Sequence, residues 1–106
     1  MFIAMNRFQI AIGHEDDFET LWRNRETYLA SVPGFLQFHL LKGPVADTHI
    51  LYASYSAWEK RQSFDDWLES EAFKKAHVQA RLPKETYLGP PVFEGFDVIL
   101  SEPSAG

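Results

Sequence analysis

FLQFHLLKGPVADTHILYASY, residues 35–55, reads as two strands and the turn that joins them. Phe35 to Lys42 is apolar on both faces, Gly43-Pro44 and Asp47 punctuate the chain, and His49 to Tyr55 resumes a strand. Helical patterns flank this hairpin. Upstream, Phe18, Leu21, Trp22, Arg25, Leu29 and Val32 fall on one stripe of a 3.6-residue period, which Pro33-Gly34 ends. Glu15, Asp16 and Asp17 load its first turn with carboxylates, which favour the positive end of a helix dipole. Downstream, Ser56-Ala57-Trp58-Glu59 has the spacing of a capping box and predicts a helix from there to about Leu68. Ser70 predicts a fresh N-cap for a helical piece from about Glu71 to Ala80.

The outermost segments return to strand. Phe2 to Ala11 is rich in β-formers and Gly13 breaks it, while Pro91 to Leu100 is the last strand. Pro83 and Gly89-Pro90-Pro91 bound an irregular loop that is a candidate gate. The order is βαββαβ. It predicts an α+β, ferredoxin-like sandwich with a four-stranded antiparallel sheet, one domain over residues 1–100 and a flexible tail over 101–106.

At 106 residues and 45% hydrophobic content, the chain is large enough for one core without staples. The lack of cysteine excludes a disulfide framework, thiolate metal sites and a cysteine nucleophile. A net charge of -5 argues against nucleic acid as a partner, because phosphate binding needs clustered cations. With no basic leader pattern and no apolar run long enough for a bilayer, the expectation is a cytoplasmic protein without a membrane partner. Nine Phe, four Tyr and three Trp exceed what so small a core requires. They line either a ligand pocket or an aromatic-rich interface.

Two helices cover only one face of a four-stranded sheet. Alternation places Ile3, Met5, Leu36, Phe38, Leu40, Leu51, Ala53, Tyr55, Phe93 and Ile99 on the other face. An apolar surface of that size calls for a cover, and a face-to-face homodimer supplies one.

Four side chains stand out as chemistry-bearing. Asn6 sits among Phe2, Ala4, Phe8 and Ile10, where an amide either bonds a nearby backbone group or water, or holds something bound. Arg25 interrupts the apolar stripe of the first helix, where it either snorkels to an ion pair or meets a ligand carboxylate. Trp67 and His77 would be about 15 Å apart on one straight helix, but a bend at Ser70 lets both approach one extended ligand. Each is also an ordinary helix residue taken alone. His39 is the rival metal ligand, since neutral imidazole is a common ligand for transition metals and haem iron.

Together, Asn6, Pro33-Gly34-Phe35 and the run Trp58…Phe64-Asp65-Asp66-Trp67…Ser70-Glu71-Ala72-Phe73-Lys74-Lys75-Ala76-His77 resemble the IsdG-type haem-degrading monooxygenases. These belong to the antibiotic-biosynthesis-monooxygenase-like superfamily of dimeric ferredoxin-like barrels. The resemblance implies that Asn6, Trp67 and His77 are the catalytic set. His77 would be the proximal ligand to haem iron, and Asn6 would hydrogen-bond the iron-bound oxygen species. Trp67 would ruffle the porphyrin, and Arg25 would contact a propionate. It further implies a homodimer that takes haem as substrate and cofactor, uses O2 and an external electron donor such as a reductase, and releases iron. Two alternatives share the fold. One is a cofactor-independent monooxygenase of aromatic polyketides or quinols, which has no need of His77; the other is a non-catalytic haem-binding protein.

Overall fold

The computed structural model describes residues 1–78 and 82–103, apart from the side chains of His77 and Val78. Its elements are β1 (Phe2–Ala11), α1 (Glu15–Asn24), β2 (Phe35–Val45), β3 (His49–Trp58), α2 (Arg61–Leu68), α3 (Glu71–Val78) and β4 (Val92–Asp97), with single 3-10 turns at Leu29–Ser31 and Lys84–Thr86. The strands form one antiparallel sheet in the order β2-β3-β1-β4, the expected ferredoxin-like α+β arrangement.

α1 is shorter than its stripe suggests. Arg25 leaves the helix with ψ 129, and Tyr28 takes a left-handed φ of 60. Local side-chain bonds favour this exit: the Tyr28 amide donates to the Glu26 carboxylate at 3.0 Å, and the Leu29 amide donates to Thr27 Oγ1 at 3.4 Å. Such bonds offer the backbone an alternative to the helical ladder. Arg25 is therefore a C-cap residue rather than a member of a continuous stripe.

The expected capping box is also displaced. Ser56, Ala57 and Trp58 are the end of β3, and α2 begins only at Arg61. The Trp58 indole donates to Ser56 Oγ at 2.9 Å, and that hydroxyl donates to the Ala4 carbonyl at 3.4 Å. Tertiary use of the serine and full burial of Trp58 override the local capping signal. The second cap forms as expected: the Phe73 amide donates to Ser70 Oγ at 3.2 Å, and the same hydroxyl donates to the Trp67 carbonyl at 2.6 Å. One serine thus fastens the end of α2 to the start of α3 and sets the bend between them.

β2 has irregular register at Phe35/Gln37 and at Lys42/Val45. The first shift reverses the alternation that the sequence suggests, because a bulge sends later side chains to the other face. Phe38 and Leu40 pack with the helices, and Phe93 stacks on Phe64, so all three leave the uncovered face. Ile99 lies beyond β4. The uncovered face keeps Ile3, Met5, Leu51, Ala53 and Tyr55, interspersed with His39 and an Arg7–Glu94 ion pair. Nor is the segment before β4 a free loop. Tyr87 bridges Ile10, and the Leu88 amide donates to the Gln9 carbonyl at 3.0 Å.

Two apolar clusters hold the helices to the sheet. One joins Phe2, Ala4, Leu29, Trp58 and Phe64; the other joins Ile10, Phe18, Ile50 and Tyr52. Beside the second, the buried Tyr52 hydroxyl donates to Glu19 at 2.5 Å, and Lys42 and Arg23 reach the same carboxylate at 3.1 Å. The Tyr52 and Lys42 hydrogen bonds hold Glu19 below the usual carboxylate range. Its contribution to stability is therefore present above the unfolded carboxylate pKa and is lost as pH falls through the depressed native value. Glu19→Gln is expected to flatten the acid side of a plot of melting temperature against pH, and thermal unfolding across an acid series checks it.

At the α1–β2 connection, Gly34 has φ +81, and a Cβ there would stand 2.2 Å from Ser63 Oγ. Gly34→Ala is expected to lower unfolding free energy by ~1–3 kcal/mol from backbone strain, with a further loss from the clash. Adding Ser63→Gly should restore only the clash component, read by urea denaturation.

Candidate active-site cleft

Between the two apolar clusters, the sheet and helices leave a cleft of about 460 Å³. That lies within the ~300–1,000 Å³ typical of small-molecule sites. The strand register builds its floor. Asn6 stands opposite Ser54 on β3 and opposite Phe93 on β4, and one rung along, Ala4 stands opposite Ser56 and Gly95. Small side chains in the centre of the floor leave the space open. Gly95 has its own reason: an added Cβ would lie 2.7 Å from Phe2 Cζ.

The walls are aromatic and flat. Trp22 and Phe38 stack with centroids 5.7 Å apart and planes at 14°, and Phe64 and Phe93 stack at 5.7 Å and 4°. Trp67 lies against Trp58 at 5.6 Å and meets the Phe73 ring edge-on at 4.8 Å. Arg25 places its guanidinium carbon 4.6 Å above the Trp22 ring.

Charge in the cleft runs against the chain as a whole. Arg25 and Arg61 line it, and Asp65 is the only carboxylate among the described lining residues, in a protein of net charge -5. Burial lowers the Arg25 pKa, with Tyr87 acting in the opposite direction; burial raises the Tyr87 hydroxyl, and Arg25 opposes that. Arg61 is 66% exposed and sits 3.8 Å from Asp65, beyond hydrogen-bonding distance. Arg61 also lies over the Phe2 ring, with its guanidinium carbon 5.4 Å from the centroid.

Asn6, Arg25 and Trp67 all line this one cleft. His77 belongs to α3, one turn beyond the cleft-lining Phe73, and its side chain lies outside the described residues. His39 is on the uncovered side of the sheet, with Nε2 2.7 Å from Gln37 Oε1, so the rival ligand is remote from the cleft. Sequence reasoning missed Trp22, Phe38, Ser54 and Tyr87 as cleft residues. Ser54 and Ser56 carried a signal, two small polar residues at strand period in an apolar run, but their partner Asn6 emerges only from the register.

The sequence profile of the antibiotic biosynthesis monooxygenases matches residues 1–79. The chain belongs to this family. Among solved structures, the haem-degrader MhuD from Mycobacterium tuberculosis, with two haems bound in its active site, is 24% identical. The match covers 97% of this chain and 100% of that one, with a TM-score of 0.74. A MhuD variant with two manganese protoporphyrin IX bound per active site is 23% identical over 98% of this chain and 100% of that one, with a TM-score of 0.78. SnoaB, a cofactor-independent oxygenase from Streptomyces nogalater, is 16% identical over 97% and 98% of the two chains, with a TM-score of 0.68. At such identities the likeness is one of fold, and this monooxygenase fold carries more than one chemistry.

Among the described residues, the Asn6 side chain makes no hydrogen bond, although it is half-buried between apolar neighbours. An amide in that setting adds nothing to stability. Asn6→Leu is therefore expected to leave unfolding free energy unchanged or raise it by up to ~1 kcal/mol. A clear loss of stability in chemical denaturation would instead make the amide structural.

Proposed function

We propose that this member of the family is an oxygen-dependent haem-degrading monooxygenase, with Asn6, Trp67 and His77 as its catalytic residues. The observation that carries the reading is the meeting of Asn6, Trp67 and Arg25 in one aromatic-walled cleft bordered by the helix that bears His77. The parts suit a tetrapyrrole. Flat apolar faces find the Trp22–Phe38 and Phe64–Phe93 walls, acidic side groups find guanidinium, and the floor offers an uncommitted amide. The volume and the mixture of broad apolar walls with a few polar groups match what a large planar ligand requires.

Haem as substrate supplies the reactivity toward dioxygen, and an external reductase or other donor supplies electrons. This chain supplies ligation, shape and hydrogen bonding. His77 would hold the iron, and Trp67, packed against Trp58 and Phe73, would press against the bound macrocycle. Asn6 donates its amide protons toward the reacting oxygen from the sheet side, and Arg25 pairs with a propionate. Iron leaves once the ring is opened. The protein works as a cytoplasmic homodimer, with the face of Ile3, Met5, Leu51, Ala53 and Tyr55 covered by a second copy.

The alternatives within the fold separate cleanly. Haemin added to the purified protein is expected to bind with a shifted Soret band, and His77→Ala to weaken binding about tenfold or more, ~1.4 kcal/mol per factor of ten. Ascorbate in air is expected to bleach that band in the wild type and to leave it largely intact in Trp67→Phe or Asn6→Ala. Binding without bleaching identifies a haem carrier. Absence of specific haemin binding, with metal-free oxidation of a quinol, identifies the cofactor-independent chemistry and overturns the haem reading.

A further inference from the structure

We propose that Ser54 is a second ligand-contacting residue of the cleft, presenting its hydroxyl beside the Asn6 amide to the same oxygen atoms of what is bound. Ser54 lines the cleft and is only 8% exposed. It lies directly opposite Asn6 in the β1–β3 register. Side chains so placed have Cβ atoms ~4.5–5.5 Å apart, close enough to act on one small group above them.

The neighbouring serine provides the comparison. Ser56 is also 8% exposed and also lines the cleft, but its hydroxyl is committed, accepting from the Trp58 indole at 2.9 Å and donating to the Ala4 carbonyl at 3.4 Å. Ser54 makes no side-chain hydrogen bond among the described residues, and Leu40, its partner on the β2 side, has no polar atom to offer. Its hydroxyl is not sealed away from solvent but is reached from the cleft, where it is available to a bound group. Among the described residues of the floor, an uncommitted hydroxyl thus stands opposite an uncommitted amide. Neither needs the other, since both are open toward the cleft, and a bound oxygen atom satisfies both at once.

This assignment rests on the haem reading, in which the shared group is the reacting oxygen molecule between the macrocycle and the sheet. Two donors from a rigid sheet hold that molecule in one orientation better than one does, because each fixes a direction that the other leaves free. Ser54 would thus set where on the ring the oxygen is aimed.

Carbon monoxide on the reduced, haem-loaded protein is the probe, because its infrared stretch falls when hydrogen-bond donors point at its oxygen. Ser54→Ala is expected to raise that stretch and to speed carbon monoxide release about three- to tenfold, the worth of one hydrogen bond. Ser54→Thr, which keeps the hydroxyl, should stay near the wild type, and Asn6→Ala gives the reference shift. A purely structural serine would change the melting temperature and leave the stretch where it is. An unchanged stretch in Ser54→Ala alongside a shifted one in Asn6→Ala overturns the role of Ser54 while the haem reading stands. If the wild type takes up no haemin, that reading falls, and the site is then read with a dihydroxyanthraquinone: equal affinity in wild type and Ser54→Ala overturns the Ser54 assignment as well.

Discussion

The antiparallel register of β1 against β3 governs the rest of the molecule. It pairs Phe2 with Trp58 at one end and Ile10 with Ile50 at the other, and both ends are buried in separate apolar clusters. Those clusters act as clamps. Between them the same register places Ala4 opposite Ser56 and Asn6 opposite Ser54, side chains too small or too polar to close the interior. The cleft is thus the gap between two cores, held open because both of its ends are packed. A slip of β1 by one residue would turn Asn6 to the uncovered side and bring Met5 into the floor, and the cost of exposing Phe2 and Ile10 forbids it.

Packing around that gap explains the aromatic excess of the chain. Nine phenylalanines and three tryptophans would overfill a single core of this size, yet here many serve as walls with one face on protein and one on the cavity. Trp22 shows the economy of the arrangement: its ring stacks on Phe38, carries the Arg25 guanidinium, and also reaches Phe8 and Phe18 at the second cluster. Rigid rings hold their orientation with little rotamer freedom, so a wall of them keeps its shape in the free protein. Binding a flat ligand then requires little reordering.

The sequence makes the order of elements legible because Gly13 and Pro33-Gly34 separate segments of clearly different period, whereas Gly43-Pro44, expected to open the hairpin turn, lies within β2. Ser70 was legible as a cap because its role is local, a hydroxyl bonded to an amide three residues on. Ser56 looked equally local and was not, since its bonds run across the sheet and to Trp58. Phe38 and Leu40 were assigned to the wrong face for a similar reason: the irregular pairing at Phe35/Gln37 is invisible to simple alternation. For the site, Asn6 and Trp67 could be singled out as an amide in an apolar strand and a tryptophan in a recognisable run. Arg25 was singled out on the premise of a continuous helix, and it lines the cleft as the C-cap residue of a shorter one. Ser54 carried only the weak signal of a small polar residue in an apolar strand, and it becomes informative when its opposite number proves to be an amide with no hydrogen bond among the described residues.

What the fold leaves to be decided lies on the helix side of the cleft. The floor offers hydrogen bonds and the walls offer flat apolar surface, and neither by itself distinguishes a haem from an aromatic polyketide. Two features tilt this chain. Its cleft lining carries more cation than anion in an acidic protein, which favours a ligand with acidic groups over a neutral quinol. And α3 breaks from α2 at Ser70, so that the helix bearing position 77 takes a direction of its own, one turn beyond a ring that already touches Trp67. On the proposed haem reading, the histidine of α3 has a use that metal-free chemistry does not give it, because neutral imidazole ligates iron whereas neutral amide and hydroxyl donors steer an oxygen without holding a metal.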